Sequence, residues 1–115
     1  MSEKPPLLST DDSEAAIFAA ELGAAPSIDL HGMPKHLALS ELETFFHSEI
    51  MRGSEVIKII HGRGDQILRS AIRAWLEQPE QKKLVKKFRD SENPAQHGAV
   101  TLVALERLGR GAPRR

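Results

Sequence analysis
Val56-Ile57-Lys58-Ile59-Ile60-His61-Gly62-Arg63-Gly64-Asp65-Gln66-Ile67-Leu68-Arg69 changes character twice along its length. A nearly all β-branched run suits an interior strand covered by helices. A histidine and a Gly-X-Gly turn follow, and then an amphipathic pattern that reads as a helix start, with Asp65 as its natural N-cap. Such a strand-loop-helix junction turns backbone N–H groups and the positive end of a helix dipole toward an anion. Arg63 adds a planar guanidinium fork suited to phosphate. Gly62 and Gly64 also suit a tight connection that needs no ligand, and the two readings are compatible.

Downstream, Leu68, Ile72, Trp75 and Leu76 form the apolar stripe of a helix that ends near Glu77, before Pro79. Trp75 shares that stripe and reads as core. Leu84–Arg89 reads as a further strand, with Leu84 and Phe88 on one face and Val85, Lys87 and Arg89 on the other, solvated and basic. Ser91–Gly98 is rich in structure breakers and reads as a loop that includes His97. Val100–Leu105 is a continuous apolar run and reads as the last strand.

Upstream, Ile28–His31 is a short strand in which alternation sets Ile28 and Leu30 against Asp29 and His31. Gly32 breaks it, Pro34 suits a first helical turn, and Leu39, Leu42, Phe45, Phe46 and Ile50 recur at helical spacing up to Gly53. His36 and His47 lie off that stripe and read as solvated. Thr10 or Asp11 can cap a short accessory helix running to Leu22, with Ile17, Phe18 and Leu22 on one side. Residues 1–9, with a Pro-Pro pair, read as loosely attached. Ala24–Ser27 marks a boundary, which divides the chain into an acidic extension (1–25), a main domain (26–107) and a basic tail (108–115).

The order of elements is therefore β-α-β-α-β-β. The right-handed crossover rule places both main helices on one face of a mixed four-stranded sheet, leaving the other face or the strand ends open. Asp29-Leu30-His31 and His61-Gly62-Arg63-Gly64 then both fall at carboxyl ends of parallel strands, the usual ligand position in open α/β sheets. If the first two strands are neighbours, the two motifs meet.

At 115 residues the chain holds one domain with a real core, and its 40% hydrophobic and 28% charged content is that of a soluble globular protein. No apolar run approaches a bilayer span and the acidic start lacks a signal-peptide core, so the expected location is the cytoplasm. Without cysteine there is no disulfide framework, thiolate metal site or thiol nucleophile, which leaves histidine and carboxylate chemistry. The formal net charge of +0 conceals segregation: Glu3, Asp11, Asp12, Glu14 and Glu21 lie at the head, and Arg107, Arg110, Arg114 and Arg115 at the end.

Taken together, Ile28-Asp29-Leu30-His31-Gly32, Ile59-Ile60-His61-Gly62-Arg63-Gly64, the helix from Leu68-Arg69 to Trp75-Leu76, and the closing strand from Gly98-Ala99 to Val103-Ala104-Leu105 resemble the small MutS-related (Smr) domain family in order and spacing. The resemblance covers residues 26–107. It implies an α/β two-layer sandwich similar to the C-terminal domain of translation initiation factor three, nucleic-acid binding and, in many members, endonuclease activity on DNA or RNA. Two positions depart from the family pattern. Asp65-Gln66 stands where many members have Thr-Gly, placing negative charge near the phosphate loop, and Gln96-His97-Gly98 replaces a Gly-Gly pair before the last strand. No mismatch-recognition or ATPase region accompanies these residues, so mismatch repair is not an expectation.

Phosphodiester hydrolysis needs an activated nucleophile, stabilisation of charge on the phosphoryl oxygens, and a proton for the leaving oxygen. The expected catalytic pair is Asp29 and His31, with His31 as general base or acid. His61, Gly62, Arg63 and Gly64 are the expected phosphate-binding residues. Lys87 and Arg89, in a basic stretch with Lys82, Lys83 and Lys86, are candidate contacts to a nucleic-acid backbone. A divalent metal is compatible with Asp29, His31 and His61 as oxygen and nitrogen ligands, but no dense carboxylate cluster or paired-histidine helix motif calls for one. The expected partner is DNA or RNA, and the alternative to a nuclease is a noncatalytic nucleic-acid or ribosome-binding module that uses the same phosphate cradle without cleavage.

Overall fold
The computed structural model describes residues 12–64, 66–96 and 98–106. The loosely attached start, the Thr10 or Asp11 cap, the Asp65 cap, His97 and the basic tail lie outside the described residues. The elements run α1 (Asp12–Leu22), β1 (Ser27–Asp29), α2 (Lys35–Arg52), β2 (Val56–Ile60), α3 (Gln66–Leu76), α4 (Pro79–Lys82), β3 (Val85–Asp90) and β4 (Val100–Leu105). No helix among these residues is long and apolar enough to cross a membrane.

The four strands form one sheet in the order β1-β2-β4-β3. β1 and β2 are parallel neighbours, with Asp29 opposite Ile60. β4 runs antiparallel to both of its neighbours, β2 and β3. Apolar residues at every second position give this sheet two faces. Ile57 and Ile59 of β2 and Val103 and Leu105 of β4 join Leu42, Phe46 and Ile50 of α2 and Leu68, Ile72, Trp75 and Leu76 of α3 in the main core. Phe46 and Trp75 meet edge to face, with ring centroids 5.2 Å apart. The stripes expected for these two helices are those buried, with Leu39 and Phe45 at the margin. His36 and His47 are exposed.

Of the two places expected to be open, the opposite face or the strand ends, the opposite face is covered. Val56, Leu102 and Ala104 point there, and α1 covers them with Ile17 and Ala20. The buried side of α1 is Ser13, Ile17 and Ala20, while Phe18 and Leu22 are exposed at 60% and 74%. The expected grouping of Ile17, Phe18 and Leu22 is therefore corrected. The helix is oriented by a mixed face, in which Ile17 and Ala20 meet β4 and the flanking Glu14 and Glu21 meet the basic side chains of β3.

β3 also departs from simple alternation. A bulge between Val85 and Lys87 inserts one residue, so Val85 packs with Leu84 and Phe88 against the main core instead of sharing the side of Lys87 and Arg89. A short helix, α4, begins at Pro79, where the sequence pattern suggested only a connection.

Candidate functional site
Parallel pairing of β1 with β2 fixes which loops are neighbours. Because Asp29 lies level with Ile60 and the Leu30 N–H donates to the Ile60 carbonyl at 2.7 Å, the residues that follow each strand leave the sheet side by side. β4 enters at the same end, with Val100 opposite Ile60 and Thr101 opposite Asp90. Three segments converge there: the turn after β1, the Gly62–Gly64 loop after β2 and the 91–99 loop before β4.

In the first segment, the Asp29 carboxylate accepts from the His31 backbone N–H at 3.1 Å and lies 2.6 Å from its Nδ1. Both side chains are exposed, at 52% and 66%. The hydrogen bond to Asp29, and then its charge, raise the His31 pKa above its ordinary value. Hydrogen bonds from the His31 ring and backbone N–H lower that of Asp29. With Nδ1 engaged by the carboxylate, the ring's other nitrogen is the one oriented for proton transfer.

Gly62 carries the second segment against the first. Its φ is +94°, in the region that disfavours L side chains, and a Cβ placed on it would lie 3.2 Å from the His31 Cβ. The two motifs are thus in direct contact. The Gly62 N–H is not turned outward, however, since it and the His61 N–H both donate to the Ala99 carbonyl, at 3.2 and 2.9 Å. Of the expected phosphate-binding residues, Gly62 thus has its amide engaged within the fold. Gly64 differs: a Cβ there would meet open space, so the fold itself gives no steric reason for a glycine. Close approach by a ligand would supply one. Arg63 is exposed and its Nη2 donates to the Ala95 carbonyl at 3.0 Å, which brings the third segment into the site.

His61, expected beside the phosphate, has its ring fully buried with Nε2 3.0 Å from the Thr101 Oγ1. Burial lowers its pKa. Its place is beneath the loop, as an internal support. Among the described residues, no group of three or more His, Asp or Glu side chains is arranged to hold a metal ion.

Lys87 and Arg89 lie on the sheet face under α1, where Lys87 pairs with Glu14 and Arg89 with Glu14 and Glu21. Two groupings escaped the reading of the sequence. Asp90 receives hydrogen bonds from Arg69 and Arg73 of α3, joining the helix that follows the Gly62–Gly64 loop to the end of β3. Glu21 accepts from Arg89, from the Ser91 hydroxyl and from the Glu92 and Asn93 backbone N–H groups. The signal for Glu21 was faint: Glu14, Ile17 and Glu21 share one helical face, matching Lys87 and Arg89 on one strand face.

The fold and this end of the sheet define an α/β domain that gathers a carboxylate-histidine pair, a glycine-flanked arginine and a closing loop at one set of strand ends. The chain belongs to the Smr domain family, whose model matches residues 28–106. It is 38% identical over 80 residues to Endonuclease MutS2 of Aquifex aeolicus, an alignment covering 70% of this chain and 10% of that protein. The chain thus spans about a tenth of the length of such relatives. The crystal structure of the Smr domain of Thermus thermophilus MutS2 superposes with a TM-score of 0.63 at 31% identity, covering 70% of this chain and 98% of that one. YdaL, a stand-alone small MutS-related protein from Escherichia coli, shares the fold at a TM-score of 0.66 and 20% identity, covering 80% of this chain and 76% of that one.

Proposed function
We propose that this chain binds nucleic acid through the loops at the carboxyl ends of β1 and β2 and hydrolyses phosphodiester bonds in RNA or DNA there. The observation that carries the reading is the contact of Gly62 with His31, which sets a proton-transfer pair against a loop bearing an exposed arginine. The endonuclease name borne by the MutS2 relatives agrees with it. Arg63 and the approach at Gly64 hold the phosphate. His31, with its basicity raised by Asp29, takes the proton of the attacking oxygen. In RNA the 2′-hydroxyl adjoining the scissile phosphate can be that nucleophile; in DNA it is water. His61 and Asp90 support the loop and the helix behind it, and the basic residues 108–115 add a sequence-independent attraction to the backbone.

The test is cleavage of structured and single-stranded RNA and DNA by the wild-type protein, Asp29→Ala and His31→Ala. Loss of cleavage in both variants, with binding retained, is expected. A 2′,3′-cyclic phosphate on RNA products identifies the 2′-hydroxyl as nucleophile, and cleavage that persists after chelation assigns the chemistry to the side chains. Cleavage unchanged in both variants refutes the site. The second reading is a noncatalytic nucleic-acid or ribosome-binding module, favoured by the exposure of the phosphate loop whether or not cleavage occurs. Salt-sensitive binding without cleavage by the wild type would select it.

A further inference from the structure
Glu21 lies on α1, outside the residues 28–106 that the family model matches, yet its carboxylate is embedded in the site's third loop. Its side chain is only 7% exposed. One oxygen, Oε1, accepts from the Ser91 Oγ at 2.9 Å, the Glu92 N–H at 3.0 Å and the Asn93 N–H at 3.1 Å. The other, Oε2, accepts from Arg89 Nη1 at 2.8 Å. Hydrogen bonds to an ionised acceptor are shorter and stronger than neutral ones, so donors gathered on one carboxylate hold a backbone turn firmly.

From that anchor the connection to the site is short. The Asn93 side chain accepts the Ala95 N–H at 2.9 Å, and the Asn93 carbonyl accepts the Gln96 N–H at 2.8 Å. The Ala95 carbonyl then receives Arg63, while the Gln96 carbonyl accepts the Ala99 N–H at 2.8 Å. The Ala99 carbonyl in turn receives the His61 and Gly62 N–H groups. We infer that Glu21 is a positioning residue: it fixes the 91–99 loop, and through the carbonyls of Ala95 and Ala99 that loop sets where Arg63 and Gly62 stand. The inference rests on reading Arg63, in the loop that Gly62 opens, as part of a phosphate site. Glu14, on the same helix, provides the comparison, since it pairs with Lys87 and Arg89 on the strand.

The experiment records the backbone amide signals of Gly62 and Ala95 and the side-chain Nε–H signal of Arg63 by NMR in the free protein, for wild type, Glu21→Ala, Glu21→Gln and Glu14→Gln. Glu21→Ala shifts all three signals, and Glu14→Gln leaves them in place. Glu21→Gln keeps an oxygen for the loop but loses the charge, so the same signals move in the same direction by less. In cleavage assays Glu21→Ala raises KM about tenfold, the size usual for a residue supporting a directly contacting one. Its kcat changes little, because the lost interaction holds bound substrate and transition state alike. Unmoved Arg63 and Gly62 signals in folded Glu21→Ala overturn the inference; if that variant does not fold, unmoved signals in Glu21→Gln do so. A wild type that binds no nucleic acid would refute the phosphate-site reading instead, and the spectra would still decide whether Glu21 governs the loop.

Discussion

Replacing Gly62 with alanine adds one methyl group where backbone and neighbour both resist it. At φ +94° the residue is in territory that costs an L side chain about 1–2 kcal/mol. The new Cβ would also stand 3.2 Å from the His31 Cβ, closer than ordinary van der Waals contact, and the chain at His31 is held by the Asp29 hydrogen bonds. Together these predict a loss of about 2 kcal/mol. For a domain of this size that lowers Tm by roughly 8–16 °C. Two further alanines separate the contributions. Gly98→Ala carries the backbone strain, at φ +84°, but its Cβ would make only ordinary contact with the Arg63 Cγ at 3.9 Å. It should lose about 1–2 kcal/mol. Gly64→Ala meets open space and should stay within about 0.5 kcal/mol of wild type. If a phosphate approaches Gly64, however, that variant loses affinity without losing stability. Thermal unfolding followed by circular dichroism, paired with titration of a fluorescent oligonucleotide, reads both quantities. A Gly62→Ala protein that melts within about 2 °C of wild type would refute the contact argument, and full affinity in Gly64→Ala would refute close approach at that position.

Asp29→Asn keeps an acceptor but removes the charge that helps raise the His31 pKa, so the titration midpoint of the His31 ring falls in NMR. The sign follows for both partners. Protonated His31 contributes stability that is complete below its ordinary value of 6.5 and is lost as pH rises through the raised folded value. Ionised Asp29 contributes stability that is present above 3.8 and is lost as pH falls through its lowered value. If His31 acts as base, the rising limb of cleavage against pH moves to lower pH in the variant, and an unchanged midpoint refutes the coupling. Asp90→Asn weakens the hydrogen bonds to Arg69 and Arg73, at a cost of about 2 kcal/mol near neutral pH. Burial acts to raise the Asp90 pKa, but the hydrogen bond and charge of Arg69, with the charge of Arg73, hold it below 3.8. The stability difference between variant and wild type is therefore full above that value and shrinks as pH falls through the lowered one; a difference independent of pH in acid denaturation would contradict it.

The parts of the fold that were legible in the sequence are those governed by local periodicity. The stripes of α2 and α3 and the bounds of β4 follow from apolar spacing, and each is buried as that spacing requires. Asp29, His31 and the Gly62–Gly64 turn were legible as short motifs, and the condition that brings them together, parallel pairing of β1 with β2, is met. What escaped depends on partners far apart in the chain. The rotation of α1 is set by Lys87 and Arg89, whose pairing with Glu14 and Glu21 no local pattern announces. The bulge in β3 is a register effect, visible only against β4. The inward position of His61 comes from Thr101, forty residues on. A histidine before a glycine turn carries no mark of which way its ring will face.

The place of β4 between β2 and β3 bears on how the protein comes into being. The last of the described strands is an interior one in space, buried along its whole length and paired with β2 on one side and β3 on the other. During synthesis β2 and β3 therefore have no common partner until residues 100–105 have been made. Pairings so distant in sequence form late and slowly. The 91–99 loop, which holds Arg63 and Gly62, is closed by the same event. A nascent chain thus exposes unpaired strand edges until residues 100–105 arrive, and Arg63 and Gly62 gain their backbone partners in the 91–99 loop in the same step that buries those edges.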